Sequence, residues 1–341
     1  MLNNDSAFFR TSPACGVHED RYIITAGGYG CHLNDLNSSI MYDTSTQIRV
    51  SLPDVPHKGA EQSIVLNGYI YTHHFGHIHR LCLSRSAQWE HVVEDQRDQA
   101  TAMITNCKHV FIIYLYCDMT CFDPKEKKFV TLPRVPTIRY DFVAALVGNK
   151  IFVMGGCLDL DYVVSSSVEI FDIDTKTWSD GPCIPKGLCQ ASATVFKRWI
   201  IVNGGLTDEG SNDKTFILDT YTQTWIQSNH VQSIPRRLHR CVIAGSKLVC
   251  IGGIFEEDET SEYCPVEEIH IKHLIPDWKW RTIKDFLLLR QLIKEGRANA
   301  IIPSKRIKTE SAIVTDAEKV VQKAFVEMNS DTFRAVLSFL I

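Results

Sequence analysis

No stretch of the chain approaches eighteen consecutive apolar residues, and its opening, MLNNDSAFFRTSPACG, lacks a basic segment followed by an apolar run. Neither a membrane-spanning helix nor a secretory leader is expected, so the chain reads as soluble and unexported, with a cytoplasmic location. No CxxC pair occurs among its twelve cysteines, several of which sit inside strand-like runs such as Cys241 to Cys250. That usage predicts reduced thiols acting as small core residues rather than a disulfide framework. Cys117 and Cys121 lie close together, but without a second pair or a histidine couple they do not make a zinc site. Charge of one sign is also missing. The net charge is −4 with thirteen histidines neutral, which gives no overall attraction to nucleic acid or to an anionic membrane. Nor is there a nucleophile elbow, a phosphate loop or a spaced metal motif. What the chain has is apolar content, 45% of 341 residues, enough to bury the core of one large or two modest domains.

That content is periodic. Ala144 to Trp178 reads AALVGNKIFVMGG, a loop, then VEIFDIDTKTW; Ala193 to Trp225 reads ATVFKRWIIVNGG, a loop, then TFILDTYTQTW. The frame is a strand, a turn, a second strand ending in Gly-Gly, a variable loop, a third strand ending in Asp, and a fourth entered through Trp. Four short strands per unit make one propeller blade. The frame recurs as YIITAGG with SSIMYD near the start, and as VIAGSKLVCIGG with VEEIHI before Trp278 and Trp280. Between the first copy and the next good one lies room for two more units at a spacing of about 40 to 50 residues. Both are found in eroded form. IVLNGYIYTHH has His73 and His74 where glycines are expected, with Trp89 opening its fourth strand; MITNCKHVFIIYL has Tyr114 and Leu115 there, then Asp123 and Phe129 in the Asp and Trp places.

The Gly-Gly pairs Gly27–Gly28, Gly155–Gly156, Gly204–Gly205 and Gly252–Gly253, the downstream aspartates, and Trp178 and Trp225 resemble the kelch motif. The resemblance covers roughly residues 10 to 282 and implies an all-β fold, a six-bladed kelch-type β-propeller, with blades two and three degenerate. Residues 1–282 are expected to form the propeller and 283–341 a C-terminal α-helical tail of about three amphipathic helices. The tail carries helical spacing in Phe286, Leu288, Leu289, Leu292 and Ile293, and a capping box at Thr315 and Glu318 before Val320 and Val321. Its last segment, SDTFRAVLSFL, resembles the opening helix of an F-box. The basic run Pro303-Ser304-Lys305-Arg306-Ile307-Lys308 reads as a solvated linker, with a nuclear address as the alternative.

The kelch resemblance implies a non-enzymatic scaffold that binds a partner protein or peptide on its loop face, with a ubiquitin-ligase substrate receptor as one form and a ligase subunit on the tail. An enzyme or a cytoskeleton-binding protein is the alternative. The glucosinolate-product factors of this class would need a Glu-x3-Asp-x3-His run, which the sequence lacks. Loops on a rigid scaffold are where binding residues are expected. The loops after the glycine pairs of blades four to six are acidic, with Asp159, Asp208, Glu209 and Glu256 among others, whereas those leading into first strands carry Arg97, Arg139, Arg236, Arg237 and Arg240. Arg97, Arg139 and Arg236 are expected at corresponding positions near the channel mouth, with Tyr140 and His239 beside them, as a ring of guanidinium groups gripping an acidic partner segment. The competing reading has these arginines bridging blades or pairing with the acidic loops. The dense run His73-His74-Phe75-Gly76-His77-Ile78-His79 places His77 and His79 on one face if extended. With no carboxylate or cysteine inside it to complete a site, it reads as a surface loop with incidental metal affinity, and no metal or cofactor is assigned.

Overall fold

In the computed structural model the chain divides into two units, Met1–Leu274 and Ile275–Ile341. The structure describes residues 10–30, 36–59, 62–84, 88–97, 99–158, 163–254 and 266–275. The expected tail helices, the F-box-like segment, the basic linker and the fourth strand expected at Trp278 lie outside these residues.

The first unit is a ring of six antiparallel blades. Blade one comprises Ala14–His18, Tyr22–Ala26, Ser39–Asp43 and Arg49–Leu52; blade two, Gln62–Leu66, Tyr69–His74, His77–Cys82 and Glu90–Glu94. Blade three comprises Ala100–Thr105, Val110–Tyr114, Met119–Asp123 and Lys128–Leu132; blade four, Val143–Val147, Lys150–Met154, Val168–Asp172 and Thr177–Asp180. Blade five comprises Ser192–Phe196, Trp199–Asn203, Thr215–Asp219 and Thr224–Gln227, with a small ribbon of Leu206–Thr207 and Gly210–Ser211 in its long loop. Blade six has three described strands, Arg240–Ala244, Lys247–Ile251 and Glu267–His270. Each first strand packs against the next blade's first strand, and Arg240–Ala244 packs back against Ala14–His18.

Burial explains the sequence pattern within a blade. Second and third strands are covered on both faces by neighbouring blades, so they read as unbroken apolar runs: Ile151, Phe152, Val153 and Met154 are all buried. Fourth strands are outer edges and read as polar and charged, as in Thr177–Asp180. The core therefore lies between blades rather than at a centre. Ala145 and Phe152 of blade four meet Ile200, Val202 and Phe216 of blade five, and Ile23 and Tyr42 of blade one meet Val249 and Ile251 of blade six.

The repeat residues are explained by contacts. Gly155 and Gly156 have φ of 67° and 90°, and Gly156 donates its N–H to the Leu188 carbonyl of the entry to blade five at 2.7 Å. A Cβ on Gly155 would lie 2.4 Å from that same oxygen, so side chains are excluded twice over. The Asp ending the third strand caps the next turn: Asp172 Oδ1 accepts from the N–H groups of Asp174 and Thr175, and Asp123 and Asp219 do the same two and three residues on. Each turn ends in a left-handed residue four places after the Asp, Gln47 (φ 61°), Lys127 (53°), Lys176 (57°) and Gln223 (56°). The Trp of the fourth strand staples blades together through Nε1, which donates to a proline carbonyl of the preceding blade: Trp89 to Pro53, Trp178 to Pro133 and Trp225 to Pro182, at 2.9, 3.1 and 2.7 Å.

Blade two corrects one detail of the sequence reading. Leu66 pairs with Tyr69 as Val147 pairs with Lys150, which aligns Tyr69 with Lys150. His74 and Phe75, not His73 and His74, therefore occupy the glycine positions. Beyond them the chain turns back at once through Phe75–Gly76, His74 pairing with His77, whereas in blade four residues 155 to 167 separate the second strand from the third. Blade three is cut almost as short, turning between Tyr114 and Met119.

Candidate functional site: the channel mouth

The segments entering the six first strands converge around one end of the channel. Among the described residues, four of these segments place a residue in the left-handed region: Ser12, Asp141, Gln190 and Leu238, with φ of 46°, 53°, 53° and 54°. These residues link blade to blade through the backbone: Ser12 N–H to Leu238 O at 2.7 Å, Leu238 N–H to Gln190 O at 3.0 Å, and Gln190 N–H to Asp141 O at 2.9 Å. The band covers blades one, six, five and four, the four with intact glycine pairs. It encloses a cavity of about 420 Å³ to which all six blades contribute, among others through Tyr29, Lys58, Gln99, Tyr140, Gln190 and Arg240.

The connections between second and third strands are unequal in length: they are long in sequence in blades one, four, five and six, while blades two and three end in tight turns whose aromatic residues, Phe75 and Tyr116, are 65% and 62% exposed. Lys58 and Arg240 supply positive charge at the lining. The Arg240 guanidinium donates to the Pro13 carbonyl at 3.3 Å, and burial lowers its pKa. The Asp141 carboxylate is engaged by Gln190 Nε2 at 3.0 Å.

The six residues singled out from the sequence are not brought together as a guanidinium ring. Arg139 and Arg236 do occupy corresponding positions, but both are 0% exposed, and their third counterpart is Arg10 rather than Arg97. Arg139 donates to Gly155 O (2.8 Å), Ser167 O (3.2 Å) and Glu169 Oε2 (2.8 Å) inside blade four. Arg236 donates to Gly252 O at 3.3 Å and lies 3.5 Å from Glu267 Oε2 in blade six. Arg10 reaches Gly27 O and Ser38 O in blade one. A guanidinium this deep ties one blade's second and third strands together rather than bridging two blades or pairing with the acidic loops, and its burial withholds it from a partner. His239 is likewise buried, its Nε2 3.1 Å from Asn203 Oδ1 of blade five; burial, then the Arg236 and Arg240 charges, holds its pKa well below the ordinary value. Tyr140, half-buried, lines the cavity. Arg237, half-buried, donates to Gln190 Oε1 at 2.9 Å. Arg97 is partly exposed and pairs with the buried Asp95 at 3.0 Å.

Asp95 belongs to a buried network that replaces the missing glycine docking between blades two and three. It accepts from the Tyr114 hydroxyl, which also contacts Thr120 Oγ1 at 2.9 Å, and lies 3.5 Å from His73 Nε2. Burial pushes the Asp95 carboxyl up, but hydrogen bonds from His73, Tyr114 and Arg97 outweigh it and hold its pKa below the usual range. Lys58, Arg240, Phe75 and Tyr116 were not chosen as site residues from the sequence; Arg240 stood among the cationic entry loops, and the aromatics were marked only by the erosion of their blades.

A ring of four-stranded blades bearing Gly-Gly pairs, capping aspartates and stapling tryptophans is a kelch-type β-propeller. Residues 113–253 match the family described as the KLHDC2/KLHL20/DRC7 Kelch-repeats domain, in keeping with this fold. It is 38% identical over 90 residues to an F-box/kelch-repeat protein of Arabidopsis thaliana, covering 26% of this chain and 21% of that protein. A second F-box/kelch-repeat protein of Arabidopsis thaliana is 31% identical over 136 residues, covering 38% and 35%. Kelch-like protein 34 of Homo sapiens is 23% identical over 150 residues, covering 42% and 23%. The matched stretches thus span between 21% and 35% of those relatives' own lengths. Protein interaction is the typical work of this family.

Proposed function

We propose that this propeller is a non-enzymatic scaffold that holds a partner protein by an acidic segment carrying an apolar side chain, laid into the channel mouth from the side of blades two and three. The short turns of blades two and three, with their exposed aromatics, carry this reading: a peptide entering over them passes Phe75 and Tyr116 and meets Lys58 and Arg240 in the cavity. Exposed aromatics bury large area at small entropic cost, and a desolvated guanidinium grips carboxylates in two-pronged fashion. Tyr140, Arg97 and Arg237 flank this path as secondary contacts, while Arg139, Arg236 and His239 act indirectly by holding the blades that form it. A second reading, favoured by the names of the Arabidopsis relatives, is that the held protein is a ubiquitin-ligase substrate; it predicts co-purifying ligase subunits that are lost when residues beyond 275 are removed.

The direct test is selection of a random peptide library on the full chain. Enriched sequences are expected to carry Asp or Glu beside an aromatic or aliphatic residue, and Lys58→Glu with Arg240→Glu should weaken the best peptide at least tenfold. Enrichment without acidic residues, or binding indifferent to the charge reversal, contradicts the reading.

A further inference from the structure

The histidine run of blade two is not a loop. Tyr69–His74 and His77–Cys82 are the paired second and third strands, and the fourth strand, Glu90–Glu94, adds what the run itself lacks. His77 pairs with Glu94 and His79 with His91, across a bulge at Ile78/His79. Residues directly opposite on an antiparallel ladder share a face, so His74, His77, His79, His91 and Glu94 project from one face of the sheet. His57, from the connection entering the blade, lies over it, its ring stacked on His74 at 4.1 Å and 5.1 Å from that of His79.

Within this cluster one subset is arranged for coordination. The ligand atoms of His77, His91 and Glu94 all lie within 4.8 Å of one another, and all three residues are exposed. With zinc–nitrogen bonds of about 2.0–2.1 Å, two imidazoles on the same tetrahedral ion have ring centres roughly 5 Å apart. The rings of His77 and His91 are 5.7 Å apart, and those of His79 and His91 5.2 Å. The Nδ1 atom of His79 is buried and has no hydrogen-bond partner among the described residues, an uncommon state for a buried nitrogen. Strand pairing thus holds the set close to ligand spacing, so little ordering remains for an ion to impose.

We propose that His77, His91 and Glu94 bind one divalent first-row transition ion of the zinc class, leaving a fourth position for water or for His79. Two imidazole nitrogens and a carboxylate oxygen suit zinc and are a poor set for calcium or magnesium, which take oxygen ligands. The ion would clamp the outer strand to the third across the bulge, beside the Phe75–Gly76 turn. It would thereby stiffen the blade whose glycine pair and long loop are missing. Metal chemistry at the channel is not implied, and the site stands whether or not a peptide binds in the mouth.

The test is calorimetric titration of ZnCl2 into the tag-free, chelator-treated full chain. One ion per chain with micromolar or tighter affinity is expected, together with a rise of a few degrees in the melting midpoint at saturation. His77→Ala, His91→Ala and Glu94→Gln should each weaken binding at least tenfold, while His109→Ala on blade three leaves it unchanged. CaCl2 should neither bind nor shift melting. Absence of zinc binding at micromolar concentration overturns the proposal, as does binding that survives all three substitutions or is matched by calcium.

Discussion

His239 shows how a residue with functional looks is claimed by packing. Its Nε2 contact with Asn203 crosses from blade six to blade five, and a Cβ on Gly204 would lie 2.6 Å from its ring. Burial disfavours the imidazolium, so the folded state binds its proton far more weakly than the unfolded chain does. The sign follows: stability from neutral His239 is fully present above the unfolded value of about 6.5 and drains away as pH falls from there through the depressed folded value. His239→Gln should therefore lose less of its melting midpoint between pH 7 and pH 5 than the parent does; equal losses would show that His239 protonates without penalty. The sequence offered no sign of this burial, because the covering residue, Gly204, lies in another blade. By contrast Trp178 and Trp225, chosen as repeat residues, hold their blades through Nε1 as well as their rings.

At the level of the blade, the buried arginine is one part of a set of three. In blade four, Arg139 satisfies the Gly155 and Ser167 carbonyls and pairs with Glu169. Blade five has Leu188 at the arginine position and Phe216 at the glutamate position, in one apolar cluster. The two carbonyls there, Gly204 O and Lys214 O, are instead capped by Asn212 Nδ2, both at 2.9 Å. Blade four carries Ser165 at the corresponding place. Two solutions to one packing problem thus sit side by side in one chain. Arg139→Leu alone leaves Glu169 with hydrogen bonds from Thr137 but no countercharge, strands two carbonyls, and should cost about 3–5 kcal/mol, since a buried charge left unpaired is among the most destabilising changes. Adding Glu169→Phe and Ser165→Asn, which rebuilds the arrangement of blade five, should recover most of that loss in a denaturant titration. A triple variant no more stable than the single one would show that the two sets are not equivalent. The four glycine pairs were legible because positive φ and close approach leave glycine little alternative. The shift by one residue in blade two was not, since Asn67–Gly68 and Gly148–Asn149 make the same two-residue turn with the glycine on opposite sides. Likewise Glu94 and His91 were invisible as partners of the histidine run, because their place depends on a bulged register with a later strand.

At the scale of the ring, the described strands of blade six meet blade one through the same joint as the other blades. Gly253 donates to Arg10 O at 3.0 Å, as Gly156 does to Leu188 O and Gly205 to Arg236 O at 2.7 and 2.9 Å, so the joint between blades six and one repeats the joints between blades four and five and between five and six. Six phased repeats made that ring readable from the sequence. The unequal length of the connections around the channel mouth was readable only in outline, as the erosion of blades two and three. The same erosion leaves short turns on that side of the mouth, and the account of function depends on them. Hydrogen–deuterium exchange of the full chain with and without the best acidic peptide tests it most directly. Protection confined to the segments around Lys58, Phe75, Gln99–Thr101, Tyr116 and Arg240 is the predicted result; protection of the outer fourth strands with the mouth unchanged would contradict it.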